Sequence, residues 1–247
     1  MTRLPLSTGY SPKRWRKCAD AMLLKKLGLY LVTKLRTIWL FQVDANYAFK
    51  YMGREMMKSA ETFNQCAIEQ YGSRKRHKAI DQVVNKRLTF DILRQKKMAG
   101  ALCANDALSC YDRICHTVAS LNMQQQGVPE SAVVCMITTF QNMEHTIRTA
   151  YRDSKSTYGG AIWKVPMQGI GQGNGAGPSI WAVVSTPALN MLQKAGYGAC
   201  FKTAIVKTQI RIVEYSFVDD TDIIQTARQL SDSSQAVIAD MQQAMGH

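Results

Sequence analysis

The sequence predicts an α+β protein, and three observations support this. Helical patterns dominate the first 195 residues, strand-like segments cluster between residues 200 and 226, and a further helix follows. The 247 residues, 46% of them hydrophobic, are enough for one large domain or two small ones and exclude a disordered chain. No apolar run approaches the roughly 18 residues of a membrane span, so no membrane partner is expected.

Cap residues and apolar spacing predict the elements of the first hundred residues. Ser11 is a suitable N-cap and Pro12 a suitable first helical residue, so a helix is expected to begin here. The apolar, β-rich segment that includes Trp39 predicts a strand, and apolar residues at helical spacing follow it. The predicted elements are a helix over 11–25, a strand within 31–43, and helices over 44–71 and 77–97.

The second part of the chain alternates apolar segments with turn signals. A short apolar run from Gly100 ends on Asp106, and two helical patterns follow it. A polar and then glycine-rich loop precedes another helix, and short apolar segments then predict strands. The predicted elements are helices over 112–126, 131–150, 179–195 and 232–245, a loop over 151–177, and strands over 200–207, 209–217 and 221–226.

The positive charge lies almost entirely in the first hundred residues. They hold 21 Lys and Arg against 7 Asp and Glu, whereas the remainder is nearly balanced. Such an excess favours a polyanionic partner, nucleic acid first, although a solvated basic surface has the same composition. The densest run also resembles a nuclear import signal, and its candidate nucleic-acid contacts are Arg74, Lys75, Arg76 and Lys78.

The seven cysteines are scattered and form no CxxC pair. Cys103, Cys110 and Cys115, with His116, could form a zinc site, but zinc sites favour tighter paired spacings. Free thiols in a reducing compartment are the favoured interpretation. The chain also begins without the apolar core of a signal peptide, so an intracellular location, nuclear or cytoplasmic, is expected.

Acidic residues stand where two predicted strands end. Asp106 closes an apolar run, and Asp219-Asp220 separates two apolar segments. A turn can be acidic because Asp suits turns, but adjacent carboxylates repel each other unless a cation neutralises them. Together the three predict a carboxylate cluster for a divalent cation. Mg²⁺ prefers such oxygen ligands, and two ions can serve phosphoryl transfer.

A glycine-rich loop lies between Gly169 and Pro178. It matches the dinucleotide fingerprint weakly, but the acidic residue expected about 20 positions later is missing, since no Asp or Glu lies between Asp153 and Glu214. A nicotinamide-type cofactor is therefore disfavoured. The loop could still let the backbone approach a nucleotide or a template base closely.

The order of these motifs resembles the reverse transcriptases of non-LTR retrotransposons and group II introns. The segment 106–114 (Asp-Ala-Leu-Ser-Cys-Tyr-Asp-Arg-Ile) is similar to the family's first palm motif. The segment 172–178 (Gln-Gly-Asn-Gly-Ala-Gly-Pro) resembles its Gln-Gly-x-x-x-Ser-Pro, and 217–220 (Phe-Val-Asp-Asp) its aromatic-x-Asp-Asp. In the fingers, 35–38 (Leu-Arg-Thr-Ile) resembles Leu-Arg-Pro-Ile, and 25–28 (Lys-Lys-Leu-Gly) resembles the Lys-Pro-Gly before it.

The resemblance implies an RNA-directed DNA polymerase that acts on an RNA template, a DNA primer and a dNTP. Two Mg²⁺ ions, or Mn²⁺, would assist attack by the primer 3′-hydroxyl on the α-phosphate. The ring of Tyr111 beneath the sugar of the incoming nucleotide would exclude a 2′-hydroxyl. The implied catalytic and metal-binding residues are Asp106, Asp219 and Asp220, and the implied nucleotide-binding residues are Arg36, Lys26, Tyr111, Gln172 and Gly173.

The resemblance also implies a right-hand polymerase fold, with a small antiparallel palm sheet backed by helices and mostly helical fingers. The expected subdomains are fingers at 1–99, palm at 100–127, a fingers insertion at 128–165 and an incomplete palm at 166–247. The sequence has Gly177 where the family has Ser and Thr37 where it has Pro. It ends 27 residues after Asp220, so the thumb is expected to be missing. The alternative function is a catalytically inactive nucleic-acid-binding remnant of a retroelement polyprotein.

Overall fold

The computed structural model describes residues 3–28, 30–107, 109–160, 167–202, 208–227 and 233–246. In these ranges it has seven α-helices and nine strands in several small sheets, which confirms the α+β class. The chain forms two compact units. Unit 1 comprises Met1–Phe63 and Ser109–Val184, and unit 2 comprises Asn64–Leu108 and Ser185–His247. The assignment of fingers and palm stays a prediction, and residues 161–165 of the expected fingers insertion lie outside the described residues.

Unit 1 contains a four-stranded mixed sheet with helices packed on it. β1 pairs antiparallel with β2 and parallel with β4, and β4 pairs antiparallel with β5. The sheet order is therefore β2-β1-β4-β5. The elements are α1 (Arg3–Thr8), β1 (Lys17–Leu24), β2 (Leu35–Phe41), α2 (Val43–Thr62), α4 (His116–Gln125), α5 (Glu130–Gln141), β4 (Glu144–Arg148), β5 (Tyr158–Gly159) and the start of α6 (Gly177–Lys194).

An aromatic cluster forms the core of unit 1. Phe49 of α2 meets Trp15, Phe41 and Phe140 edge to face, with ring centroids 5.3–6.3 Å apart. Edge-to-face contact places the positive ring edge against the negative face and adds to the gain from burial. The buried residues of α2 recur at three- and four-residue spacing, which confirms the helical periodicity read from its sequence.

The predicted helix over 11–25 is wrong. Only Lys13–Arg16 forms one 3₁₀ turn, and β1 follows directly. Cys18 and Asp20 are buried whereas the residues between and after them are less so, which is the alternation of a strand. Ser11 is not an N-cap either, since its hydroxyl is hydrogen-bonded to the Thr139 hydroxyl at 2.8 Å. Pairing with strands distant in sequence overrides intrinsic helix propensity here.

Two other predicted helices are too long. The helix expected over 44–71 ends at Thr62, and Asn64 then adopts a left-handed φ of +51° that no helix can continue. The helix expected over 131–150 ends at Gln141, because the next residues form β4 beside β1. The predicted helices over 77–97 and 179–195 are confirmed within two residues.

Unit 2 is built on a three-stranded antiparallel sheet in the order β3-β9-β8, with a separate β6–β7 pair. Its elements are α3 (Ala79–Lys96), β3 (Gly100–Asp106), β6 (Ala199–Lys202), β7 (Gln209–Ile212), β8 (Glu214–Phe217), β9 (Asp220–Thr226) and α7 (Ser234–Met245). The strand predicted over 209–217 is thus two strands. The predicted strand residues 203–207 and the predicted helix residue 232 lie outside the described residues.

Helices cover the small sheet of unit 2. α3 packs against β8, and α7 packs against β3 and β9. Leu93 of α3, Tyr215 of β8 and Ile224 of β9 share one buried cluster. The Tyr215 hydroxyl is hydrogen-bonded to the Thr89 hydroxyl, so this buried polar group is satisfied. The strands that carry the acidic motif therefore rest on a packed core.

Two carboxyl groups are buried together in unit 2. Glu214 is 1% exposed and Glu69 is 5% exposed. Burial, and then the neighbouring Glu69 carboxylate, raise the pKa of Glu214 to about 8. Burial also raises the pKa of Glu69, whose Oε1 accepts a hydrogen bond from Gln193 at 2.6 Å. Glu214 is therefore mostly protonated at neutral pH.

Replacing Glu214 by Gln should stabilise the protein at pH 9 and change its stability little at pH 4. The ordinary Glu pKa is 4.5, so the folded state holds a proton that the unfolded state lacks between about pH 4.5 and 8. The stabilisation present below pH 4.5 is lost progressively as the pH rises from 4.5 through 8, at a cost of the order of 5 kcal/mol. Gln does not titrate and escapes that cost.

Urea unfolding at pH 4, 7 and 9 measures this difference, with the exposed Glu130→Gln as the matched control. We expect the Glu214→Gln advantage to grow with pH and the control to follow the wild-type protein. An advantage that is the same at all three pH values would contradict the burial of an ionisable Glu214.

Candidate active site

The three aspartates lie at one end of the unit 2 sheet. Asp106 is the last residue of β3 and stands directly opposite Asp220, the first residue of β9. On its other side Asp220 is opposite Phe217, the last residue of β8, so Val218 and Asp219 form the two-residue turn between β8 and β9. Directly opposed residues have Cβ atoms about 4.5–5.5 Å apart. The register therefore brings residues from both acidic motifs together.

The electrostatics of this sheet end suit a cation. Asp106 and Asp220 are exposed, and within the described part of the chain neither forms an ion pair. Asp222, two residues along β9, is instead paired with Lys86. Like charges directly opposite each other destabilise a sheet, and exposed carboxylates can turn toward a shared ion. The donor set, three carboxylates, fits Mg²⁺.

The acidic turn has an unusual backbone. Val218 has a φ of +60°, in the left-handed region that a β-branched side chain rarely adopts. Such a conformation costs roughly 1–2 kcal/mol and persists only where neighbouring contacts enforce it. The direction of the Asp219 side chain depends on this residue, because the two share a peptide bond.

Residues predicted to bind a nucleotide lie in unit 1. Arg36 is exposed on β2 and stands opposite Leu23, and Lys26 is exposed in the connection between β1 and β2. The Gln172 carbonyl accepts a hydrogen bond from the Trp39 amide at 2.7 Å, which ties the glycine-rich loop to the strand of Arg36. A Cβ at Gly173 would lie 2.4 Å from the Trp39 carbonyl oxygen, so the contact requires glycine.

Tyr111 is half-buried in the turn Cys110–Arg113 of the same unit. Its carbonyl accepts a hydrogen bond from the Ile170 amide at 2.9 Å, which fixes it to the start of the glycine-rich loop. A Cβ at Gly177 would lie 3.4 Å from the Tyr111 ring. The ring therefore stands against the first turn of α6, at ordinary van der Waals distance from the position of that Cβ.

The basic run of unit 2 has two kinds of residue. Arg74 is half-buried, and its guanidinium donates to the carbonyls of Ala67 and Gln70 at 3.1 and 3.2 Å. Lys75, Arg76 and Lys78 are exposed. Arg74 therefore stabilises its own chain, and the three exposed residues remain candidates for a polyanion.

A buried polar cluster in unit 1 was not anticipated from the sequence. Asp20 accepts hydrogen bonds from His145 Nδ1 at 3.1 Å, from Cys18 Sγ at 3.7 Å and from the Tyr158 hydroxyl. Among the described residues, one group has three potential metal-ligand atoms within 4.8 Å of one another, namely Cys18, Asp20 and His145. The alternation of Cys18 and Asp20 on one strand was the available signal. Three donors already satisfy the carboxylate, which accounts for the cluster without an ion.

The alternative zinc site at Cys103, Cys110, Cys115 and His116 is not assembled in the part of the chain that the structure describes. Cys115 is exposed, and His116 is buried with its Nε2–H donating to the Gly169 carbonyl at 2.6 Å. Three of the seven cysteines, Cys18, Cys110 and Cys135, are buried.

Solved structures provide a comparison for the fold. A Candida tropicalis telomerase truncated from its C-terminal domain matches 96% of this chain, with a TM-score of 0.59 and 9% identity. A Candida albicans telomerase in complex with a TWJ fragment of telomeric RNA matches 96% with a TM-score of 0.56 and 9% identity. The fold is therefore similar to that of these telomerases. The chain covers 48% and 40% of those two chains, that is, less than half of each.

Comparisons at the level of sequence identify no relative of this chain. No known protein-family profile matches the chain, and no curated protein matches it. At 9–10% identity the likeness to the telomerases concerns the fold alone. None of the described helices is long and apolar enough to cross a membrane.

Proposed function

We propose that the chain is the RNA-directed DNA polymerase part of a retroelement protein and transfers nucleotides from dNTPs to a primer 3′-hydroxyl. The register that places Asp106 opposite Asp220, with Asp219 in the adjoining turn, carries this proposal. The reverse-transcriptase-like fold supports it, because that fold was expected from the motifs that contain these aspartates. An intracellular location, nuclear or cytoplasmic, belongs to the same proposal.

Asp106, Asp219 and Asp220 would hold the divalent cations. When bound, two Mg²⁺ or Mn²⁺ ions would activate the attacking hydroxyl and stabilise the charge on the leaving pyrophosphate. The carboxylates would fix the ions with respect to the sheet, and exposure of Asp106 and Asp220 would leave room for phosphate oxygens. Since the strands carry the ligands, their packed core would keep the geometry constant through the reaction.

Other residues would bind the substrates. Arg36 and Lys26 would contribute positive charge to the triphosphate, and Gln172 and Gly173 would present backbone to the nucleotide and template. The excess of basic residues in the first hundred positions suits an RNA template and a DNA primer, with Lys75, Arg76 and Lys78 as exposed contacts. The C. albicans telomerase was solved with an RNA fragment, which favours RNA as a partner.

Extension of a DNA primer on an RNA template, with Mg²⁺ and dNTPs, tests the proposal. We expect incorporation that is directed by the template and is lost when EDTA removes the metal. The second candidate function, an inactive nucleic-acid-binding remnant, is favoured by the basic excess alone. It predicts that the chain binds the primer–template, with an affinity that falls with salt, but incorporates nothing. Binding without incorporation would overturn the proposed polymerase.

Tyr111→Ala should admit ribonucleotides. We propose that the ring stands beneath the sugar and excludes a 2′-hydroxyl, so its loss should raise the ratio of rNTP to dNTP incorporation about tenfold or more, since each 1.36 kcal/mol of removed repulsion is tenfold in rate. Because the ring is only half-buried, the thermal midpoint should fall by a few degrees at most.

The exposed Tyr47→Ala is the matched control for this measurement. Its ratio of rNTP to dNTP incorporation should equal that of the wild-type protein. If Tyr111→Ala loses much stability and keeps the wild-type sugar selectivity, Tyr111 is a core residue and does not face the nucleotide.

A further inference from the structure

We propose that Gln70 is a positioning residue that fixes the Val218–Asp219 turn and thereby the direction of the metal-binding carboxylates. The inference rests on the proposed function of Asp219. Gln70 belongs to none of the recognised motifs and lies about 150 residues before the turn, yet its side chain holds both sides of Val218.

The amide of Gln70 makes four hydrogen bonds within unit 2. Its Oε1 accepts from the backbone amides of Val218 at 3.0 Å and Gly72 at 2.8 Å. Its Nε2 donates to the Val218 carbonyl at 3.2 Å and to the Ser216 hydroxyl at 3.1 Å. The residue is fully buried. Both backbone groups of the strained residue are thus held by one side chain.

The backbone around Gln70 also joins the sheet. The Ser216 amide donates to the Glu69 carbonyl at 3.1 Å, and the Tyr71 amide donates to the Ser216 carbonyl at 2.8 Å. Gln70 therefore pairs in parallel with Ser216 on the outer side of β8. Two backbone bonds fix the Gln70 Cα before its side chain reaches the turn, so the side chain acts from a rigid base.

Glycine at position 72 makes this contact possible. A Cβ there would lie 2.3 Å from the Val218 amide nitrogen, closer than any real contact. The chain segment that carries Gln70 therefore lies directly against the acidic turn.

The four hydrogen bonds of the Gln70 side chain form a clamp, and this clamp explains how Val218 keeps a left-handed φ. The conformation is unfavourable for a β-branched residue, and it must be stabilised by its surroundings. Hydrogen bonds to the amide and to the carbonyl of Val218 orient the two peptide planes that flank it. The second plane leads into Asp219, so its orientation sets the direction in which the Asp219 carboxylate leaves the backbone.

Only a side-chain amide satisfies all four partners. Two of them are N–H donors that need an acceptor, one is a carbonyl that needs a donor, and one is a hydroxyl. Glu would lack the donor, and Met would have similar size and no strong hydrogen-bonding group. Gln70→Met therefore removes the clamp and keeps the volume.

Gln82→Met is the matched control. Gln82 is also buried in unit 2, and its Nε2 donates to the Tyr215 carbonyl at 3.0 Å, but it does not touch the turn. Both variants lose a buried amide, so both should lose global stability, and they are compared at a temperature at which both are folded. Only Gln70→Met should change the chemistry of the aspartates.

The experiment measures primer extension against Mg²⁺ and dNTP concentration, together with Mn²⁺ binding and hydrogen exchange of the 217–220 amides. For Gln70→Met we expect a tenfold or larger fall in kcat, a several-fold rise in the half-saturating Mg²⁺ concentration, and a KM for dNTP within twofold of wild type. Mn²⁺ affinity should fall several-fold, and the turn amides should exchange at least tenfold faster. Gln82→Met should match the wild-type protein in all of these.

Two outcomes separate the inference from the proposed function. If Gln70→Met matches Gln82→Met in Mn²⁺ affinity and turn exchange, Gln70 is only a structural residue and the inference is wrong. If the wild-type protein incorporates no nucleotide, the proposed function fails, whereas Mn²⁺ affinity and exchange still decide whether Gln70 positions the carboxylates.

Discussion

Asp219→Asn is expected to lower the rate of template-directed incorporation at least about a hundredfold. A divalent ion contributes several kcal/mol to charge stabilisation in phosphoryl transfer, and each 1.36 kcal/mol is tenfold in rate. Asn keeps the size of the side chain but replaces the charged carboxylate by a neutral amide. The amide has only one oxygen, which binds a divalent cation more weakly. The loss should appear mainly in kcat, since the nucleotide's phosphates can still bind the ion that the remaining carboxylates hold.

Asp91→Asn is the control, because Asp91 is half-buried on α3, where it pairs with Arg87 and Arg94, and carries the same charge change away from the acidic turn. Single-turnover primer extension and a thermal melt of each variant make the comparison. We expect Asp219→Asn to melt within a few degrees of the wild-type protein, since the side chain is only partly buried. Equal incorporation rates in the two variants would show that Asp219 is not an active-site residue.

Gly171→Ala is expected to destabilise unit 1 by about 2–5 kcal/mol, the combined cost of a left-handed alanine and of an overpacked core. Gly171 has a φ of +68°, and a Cβ there would lie 2.1 Å from the indole ring of Trp39. Trp39 is buried, and its ring also contacts Phe41 and His145, so it cannot retreat without disturbing the sheet.

The Gly28→Ala variant separates the cost of backbone strain from the cost of overpacking. Gly28 has a similar φ of +85°, but no described atom lies within 4 Å of the position of its Cβ. Its alanine variant should therefore lose only the roughly 1–2 kcal/mol of backbone strain. Urea unfolding of both variants measures the difference, and equal losses would show that the glycine-rich loop does not lie against Trp39.

Local sequence signals were sufficient to predict the acidic end of the unit 2 sheet. Asp106 closes an apolar run and Asp219-Asp220 separates two such runs. β3 ends at Asp106, β8 ends at Phe217 and β9 begins within one residue of its predicted start. A hairpin between short apolar strands is a local structure, so the apolar segments and the acidic residues between them are enough to predict it. The left-handed φ of Val218 has no such signal. The helical periodicity of α3 is local in the same way.

The elements that sequence analysis missed depend on distant partners. β1 is a strand because β2 and β4 flank it, and β4 pairs with it from more than a hundred residues away. The contact between Asp20 and His145 spans 125 residues, and that between Gln70 and Val218 spans 148. Neither pair has a local periodicity, so only the folded chain shows them.

The position of a bound divalent cation decides whether the three aspartates form the active site. Crystals of the protein grown with Mn²⁺, a primer–template and a non-reacting dNTP analogue would locate the ion by its anomalous diffraction. We expect Mn²⁺ with carboxylate oxygens of Asp106 and Asp219 as ligands at about 2.1 Å, and Asp220 beside them. Mn²⁺ found only elsewhere, for example at Cys18, Asp20 and His145, would contradict this expectation.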